Sequence, residues 1–151
     1  MHLPRWSPAP ADATPIQRQN FIKVQIDGIG IGLASAAAPF LPVFLTRLEA
    51  TNFEVGLLTS MPAFTGLFLA IIIGRFLQSR RQVVPWYSLM RLLVVMSYAL
   101  TGIVPFIVPR EWAVRAVLLI WAAASLPQTF VNVAFSVVMN AVAGPKGRYE
   151  L

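Results

Sequence analysis

Four long stretches of this chain carry no charge: Gly28 to Thr46, Val55 to Gly74, Leu92 to Pro109 and Ala116 to Pro145. The third of these extends an apolar run that begins at Val83 and is interrupted by Arg91. At a rise of about 1.5 Å per residue, roughly 20 residues cross a hydrocarbon core of about 30 Å. Each stretch is therefore long enough to span a bilayer. Inside lipid every backbone N–H and C=O must find a partner within its own segment or in a closed barrel, which favours helices here. The pattern predicts helices at approximately 24–47, 54–75, 83–108 and 113–143. The links Arg47–Glu54, Arg75–Gln82 and Arg110–Arg115 are short, so successive helices should be antiparallel neighbours. Residues 1–20 hold Pro4, Pro8, Pro10 and Pro15 among small and polar residues. They read as a mobile tail rather than a secretory signal, because no apolar stretch closely follows the first charge. The transmembrane domain is expected to occupy 21–151.

Composition agrees with that division. The chain is 57% hydrophobic and 12% charged, whereas soluble domains carry about 25% charged residues. Too little polar surface remains to coat a soluble globule. The net charge of +6 could point to nucleic acid, but the basic residues gather at the ends of apolar runs and form no basic stripe. Arg5, Arg18, Lys23, Arg75, Arg80, Arg81, Lys146 and Arg148 fall on one side of the expected bilayer, and Arg47, Arg110 and Arg115 on the other. That asymmetry predicts a multi-pass protein of the cell membrane with both termini cytoplasmic. Trp86, Tyr87 and Trp112 lie where interfacial aromatic residues belong. With no cysteine and His2 as the lone histidine, a disulfide, thiolate or histidine-centred zinc site has no ligands to draw on. No nucleophile–base pair or metal cluster falls within the spans, so neither an enzyme nor a cofactor is expected.

Residues within the spans add detail. Helices in lipid associate through small residues at their contacts, and two ribbons have the required spacing: Gly28, Gly32 and Ala36 in the first span, and Gly66, Ala70 and Gly74 in the second. The run Gly28-Ile29-Gly30-Ile31-Gly32 lacks the spacing and the preceding strand of a dinucleotide fingerprint. Prolines 39, 42, 62, 105 and 127 mark bends. Ser125, Gln128, Asn132, Ser136 and Asn140 recur every three or four residues and share one face of the fourth span. Amides facing lipid would be costly, so that face should meet protein or water. It serves either as the wall of a hydrated path or as an interhelical hydrogen-bond seam. Arg91 is the one charge well inside a span. It can snorkel to the cytoplasmic surface, pair with Asp27, or contact a substrate.

From Gly28 to Arg81 the chain resembles the start of major facilitator superfamily transporters. The resemblance rests on a glycine-rich first helix ending Pro42-Val43-Phe44-Leu45, the short loop Ala50-Thr51-Asn52, and Glu54-Val55-Gly56-Leu57-Leu58 opening the second helix. It continues through Gly74 into the basic loop Arg75-Phe76-Leu77-Gln78-Ser79-Arg80-Arg81, and Gly144-Pro145-Lys146-Gly147-Arg148 looks like the link to the family's fifth helix. Placed on Gly74, the family's loop signature puts its acidic member on Gln78, so a charge-relay gating role is not expected of this loop. The resemblance implies four helices of an all-α membrane bundle belonging to the first six-helix half of such a transporter. Family members bind a small solute near mid-membrane between two halves, so this chain is expected to be a fragment or to assemble with further helices or subunits. The resemblance also implies that the first and fourth helices border the cavity, with Ser35, Gln128 and Asn132 as candidate lining residues. A small non-transporting scaffold or assembly subunit is the alternative.

Overall fold

A computed structural model describes residues 14–80 and 82–147. Among them there is helix and no strand: α1 (Pro15–Ser35), a 3₁₀ turn (Ala38–Phe40), α2 (Leu41–Arg47), α3 (Asn52–Gln78), α4 (Val84–Ile107) and α5 (Arg110–Gly147). α1, the turn and α2 together make the first of four segments long and apolar enough to cross a membrane; α3, α4 and α5 supply the others.

Two of the departures from expectation fall in the first span; elsewhere α3 and α5 run longer, with residues 75–78 belonging to α3 and 110–115, expected as a link, opening α5. α1 starts at Pro15, inside the stretch expected to be a tail. Proline suits the first turn of a helix, where its missing N–H has no partner to lose, and Gln17, Arg18 and Gln19 behind it are good helix formers. The rest of the expected tail, 1–13, lies outside the described residues. The first span is also broken rather than continuous. An α-helix would draw the N–H of residue 39 to Ser35 and that of residue 42 to Ala38, and prolines at both positions remove those bonds. The backbone tightens instead, with Phe40 N–H donating to the Ala37 carbonyl at 3.0 Å. Pro62 and Pro105, by contrast, lie within unbroken helices.

The link between α2 and α3 is built from local chemistry. Glu49 takes φ 68°, the left-handed conformation that ends many helices. It lets Ala50 N–H reach the Leu45 carbonyl at 3.1 Å and Glu49 N–H reach Thr46 at 3.0 Å. Thr51 then caps α3. Glu54 N–H donates to Thr51 Oγ1 at 3.3 Å, and Thr51 N–H donates to Glu54 Oε2 at 2.8 Å. This is a reciprocal capping box, and its signature, Thr51-x-x-Glu54, stands in the sequence.

α5 is the centre of the bundle. α3 and α4 pack along it, while α1 touches α5 and α4 only lightly. The most apolar stretch of the fourth span is 50% buried, against 11% for the first. The core forms two clusters. One, towards the α3–α4 link, gathers Ile73, Leu77, Tyr87, Val94, Phe130, Val131, Ala134 and Val138. The other, at the opposite end, gathers Leu41, Leu45, Leu58, Val104, Ala113, Val117 and Trp121. The outward faces are equally apolar: Ile29 and Leu33 on α1 and Leu67, Phe68 and Ile71 on α3 are exposed. In water so large an apolar surface would drive association; facing acyl chains, it needs no cover.

Candidate polar sites within the spans

The polar face of α5 divides in two. Ser125 is buried, and its hydroxyl donates to the Ala122 carbonyl at 2.7 Å. Thr129, one turn on, is also buried and donates to Ser125 at 2.8 Å. Both hydroxyls are satisfied within their own helix, so Ser125 needs neither water nor a partner chain. Gln128 is half-buried, while Asn132 and Ser136 are exposed on the outside of the bundle. The side chain of Asn140 lies outside the described set. Residues three and four apart share a helix face, so the two amides and the Ser136 hydroxyl make an open polar strip. Ser35, the candidate on α1, is half-buried at the break, and its hydroxyl donates back to Gly32 at 3.3 Å. No hydrogen bond among the described residues joins it to Gln128 or Asn132.

A second polar group, on α4, was not singled out from the sequence. Ser97 and Thr101 are buried. Ser97 donates to Val94 at 2.6 Å and Thr101 to Ser97 at 2.8 Å. Thr101 Oγ1 in turn accepts from Trp121 Nε1 of α5 at 3.1 Å, while the Trp121 ring packs edge-on against Tyr98 with centroids 5.0 Å apart. A buried indole N–H seeks an acceptor, so Trp121 in mid-span was the available signal. Which helix would supply the acceptor was not readable.

Arg91 is paired with Asp27. Its Nε and Nη2 both lie 3.2 Å from Asp27 Oδ2. The Arg91 side chain is 15% exposed and that of Asp27 43%, so the guanidinium turns to the carboxylate across the α1–α4 seam. Among the described residues a second ion pair, Arg110 of α5 with Glu49 of the α2–α3 link at 2.8 Å, lies at the opposite end and is exposed on both sides.

The small-residue ribbons are placed differently from one another. Gly66 approaches α5: a Cβ there would lie 4.0 Å from Thr129 Oγ1. Ala70 and Gly74 follow it, half-buried, along α3. Gly28, Gly32 and Ala36 are exposed, and a Cβ added at either glycine would meet nothing within 4 Å. No helix among the described residues seats on that ribbon. In the basic loop, Arg75 and Gln78 are exposed in the last turns of α3. Arg80 folds back over the rings of Phe76, at 4.9 Å, and Trp86, at 5.8 Å. Arg81 lies outside the described residues.

No group of three potential metal-ligating side chains comes together among the described residues. Comparison with known proteins returns no match: no family model, no curated protein and no solved structure matches the chain.

Proposed function

We propose that this chain is part of a multi-pass membrane transporter of the major facilitator type, moving a small solute by alternating access, with both termini in the cytoplasm. The observation that carries the reading is the open polar strip of Gln128, Asn132 and Ser136 on α5. Amide groups held against acyl chains would lose hydrogen bonds at a cost of about 1–3 kcal/mol each on protein scales. Water in a solute path, or the polar groups of an opposing helix, relieves that cost. α5 is also the most enclosed helix, fixed on two sides by α3 and α4, as a rigid wall beside a moving solute should be. The resemblance of residues 28–81 supplies the transport class, and the skew of Lys and Arg supplies the orientation.

The absence of cysteine makes the test direct. Single cysteines at Gln128, Asn132 and Ser136, probed in native membranes with a membrane-impermeant methanethiosulfonate, should react far faster than one at Leu119, which is 71% exposed on an apolar face. Reaction no faster than at Leu119 would remove the hydrated path and leave a protein-covered seam, the outcome expected of a non-transporting scaffold. A cysteine at Gln82 should be protected from the same reagent in intact cells and one at Ala50 modified. The reverse pattern would overturn the topology.

A further inference from the structure

Beside the Asp27–Arg91 pair a cleft of about 450 Å³ opens between α1, α4 and the far part of α5. Its charged and polar members are Asn20, Lys23, Asp27, Ser88 and Arg91, with Tyr87 in the wall and apolar side chains of α1, α4 and α5 on the remaining sides. The volume falls within the roughly 300–1,000 Å³ typical of small-molecule sites. Two cations face one carboxylate, which leaves one positive charge in excess. Arg91 spends Nε and Nη2 on a single oxygen of Asp27, so the rest of its donor fork is free for a second acceptor. The second observation is Tyr87. The residue is 6% exposed, and its hydroxyl is buried without a hydrogen-bond partner. A buried phenol ordinarily finds one, and here none is supplied by the described residues.

We propose that this cleft holds the headgroup of an acidic phospholipid, its phosphate oxygens taking the free donors of Arg91 and the Lys23 ammonium, with the Tyr87 ring shifting on binding so that its buried, unpartnered hydroxyl reaches them. Two features favour a bilayer lipid over a soluble anion. The walls are mostly aliphatic, and two of the lining residues, Val84 and Leu92, are exposed on the outside of the bundle, where acyl chains would lie. The charged groups gather at the end of the spans that carries Asn20, Lys23 and the α3–α4 link. A basic pocket between helices at that level is where acidic headgroups are recognised. The lipid would also wedge the seam where α1 meets the bundle most lightly. The proposal rests on the membrane-spanning reading and not on transport.

The test uses the intact chain purified in a neutral detergent, with lipid retention read by native mass spectrometry. Phosphatidylglycerol should be retained with one-to-one stoichiometry, and phosphatidylcholine should not. Tyr87→Phe and Lys23→Gln leave the ion pair in place, and each should weaken phosphatidylglycerol retention about tenfold or more, by the usual worth of a hydrogen bond to a charged group. Circular dichroism of both variants verifies that the helices persist. Equal retention of the two lipids, or undiminished retention in both variants, would overturn the site. Displacement of the lipid by millimolar inorganic phosphate or glycerol phosphate would show that a soluble anion is the occupant, and would overturn the lipid assignment. The cysteine-labelling result at Asn132 is independent of all of these.

Discussion

The first and fourth spans are equally able to cross a bilayer, yet they are held in the bundle by different forces. The fourth is gripped by packing: Ala113, Val117, Ala134 and Val138 are all but inaccessible, and α3 and α4 lie along it. The first presents apolar side chains outward and meets the bundle at few points. It is broken by Pro39 and Pro42, and its principal polar tie is the Asp27–Arg91 pair. Hydrophobicity therefore does not decide which helix becomes central. In lipid, burying an apolar side chain against protein gains little over leaving it against acyl chains, so close packing and satisfied polar groups make the difference.

That contrast can be broken at either end. Removing the tie should have the largest effect. Breaking a buried pair costs about 3–5 kcal/mol, and the partial exposure of Asp27 reduces this to about 2 kcal/mol for Arg91→Met. Unfolding in a denaturing-detergent titration should shift accordingly, and the exchanged pair Asp27→Arg with Arg91→Asp should recover most of the loss. Failure to recover would mean that the two charges act separately. Overfilling the centre comes next. Ala134 is fully buried, and Ala134→Leu should cost about 1–3 kcal/mol by forcing α3 or α4 away, in the same titration.

A smaller effect is expected at the α4–α5 bond. Thr101→Val keeps the shape but leaves the Trp121 N–H without its acceptor. Interhelical hydrogen bonds in membrane proteins average about 0.6 kcal/mol, so the stability loss should be near that value, with a change in tryptophan emission. At the exposed end the sign should reverse. Glu49→Gly relieves a left-handed residue by about 1 kcal/mol and loses a surface ion pair worth less than about 1 kcal/mol, giving a small net gain. Gly28→Ala touches no neighbour at all, since its added methyl meets nothing. The isolated chain should gain slightly, by about 0.5–1 kcal/mol at most, because alanine is the better helix former. If a further helix seats on that ribbon in the complete assembly, the same substitution should weaken assembly alone.

Much of the fold was legible because lipid imposes simple demands. Charge-free runs located the four spans to within a few residues over most of their length, since spanning length and backbone satisfaction leave few alternatives. The break at Ala36–Ala37 was only half legible: Pro39 and Pro42 announced a bend, but that two missing N–H groups would end α1 outright depended on how the freed carbonyls were resolved. The capping box of Thr51 and Glu54 is readable from its Thr-x-x-Glu signature, because both of its hydrogen bonds are local to the first turn of α3. The division of the α5 polar face was not readable. Ser125 and Asn132 look alike as members of one periodic set, and only the position of α3 and α4 buries one and exposes the other. The burial of Thr129 is hidden for the same reason, since a hydroxyl bonded within its own helix does not reveal which face is covered.

By itself the amino-acid sequence determined what each segment must do: form a helix, keep its backbone bonds internal, and carry its charges to the ends. These are properties of single segments in a given solvent, and hydropathy and proline placement are enough to settle them. Tertiary structure alone decided which helix is central, that Asp27 faces Arg91 across 64 residues of chain, and which polar groups remain open on the outside. Those depend on the relative rotation and register of helices, which small gains in packing and single hydrogen bonds settle and which no one segment encodes.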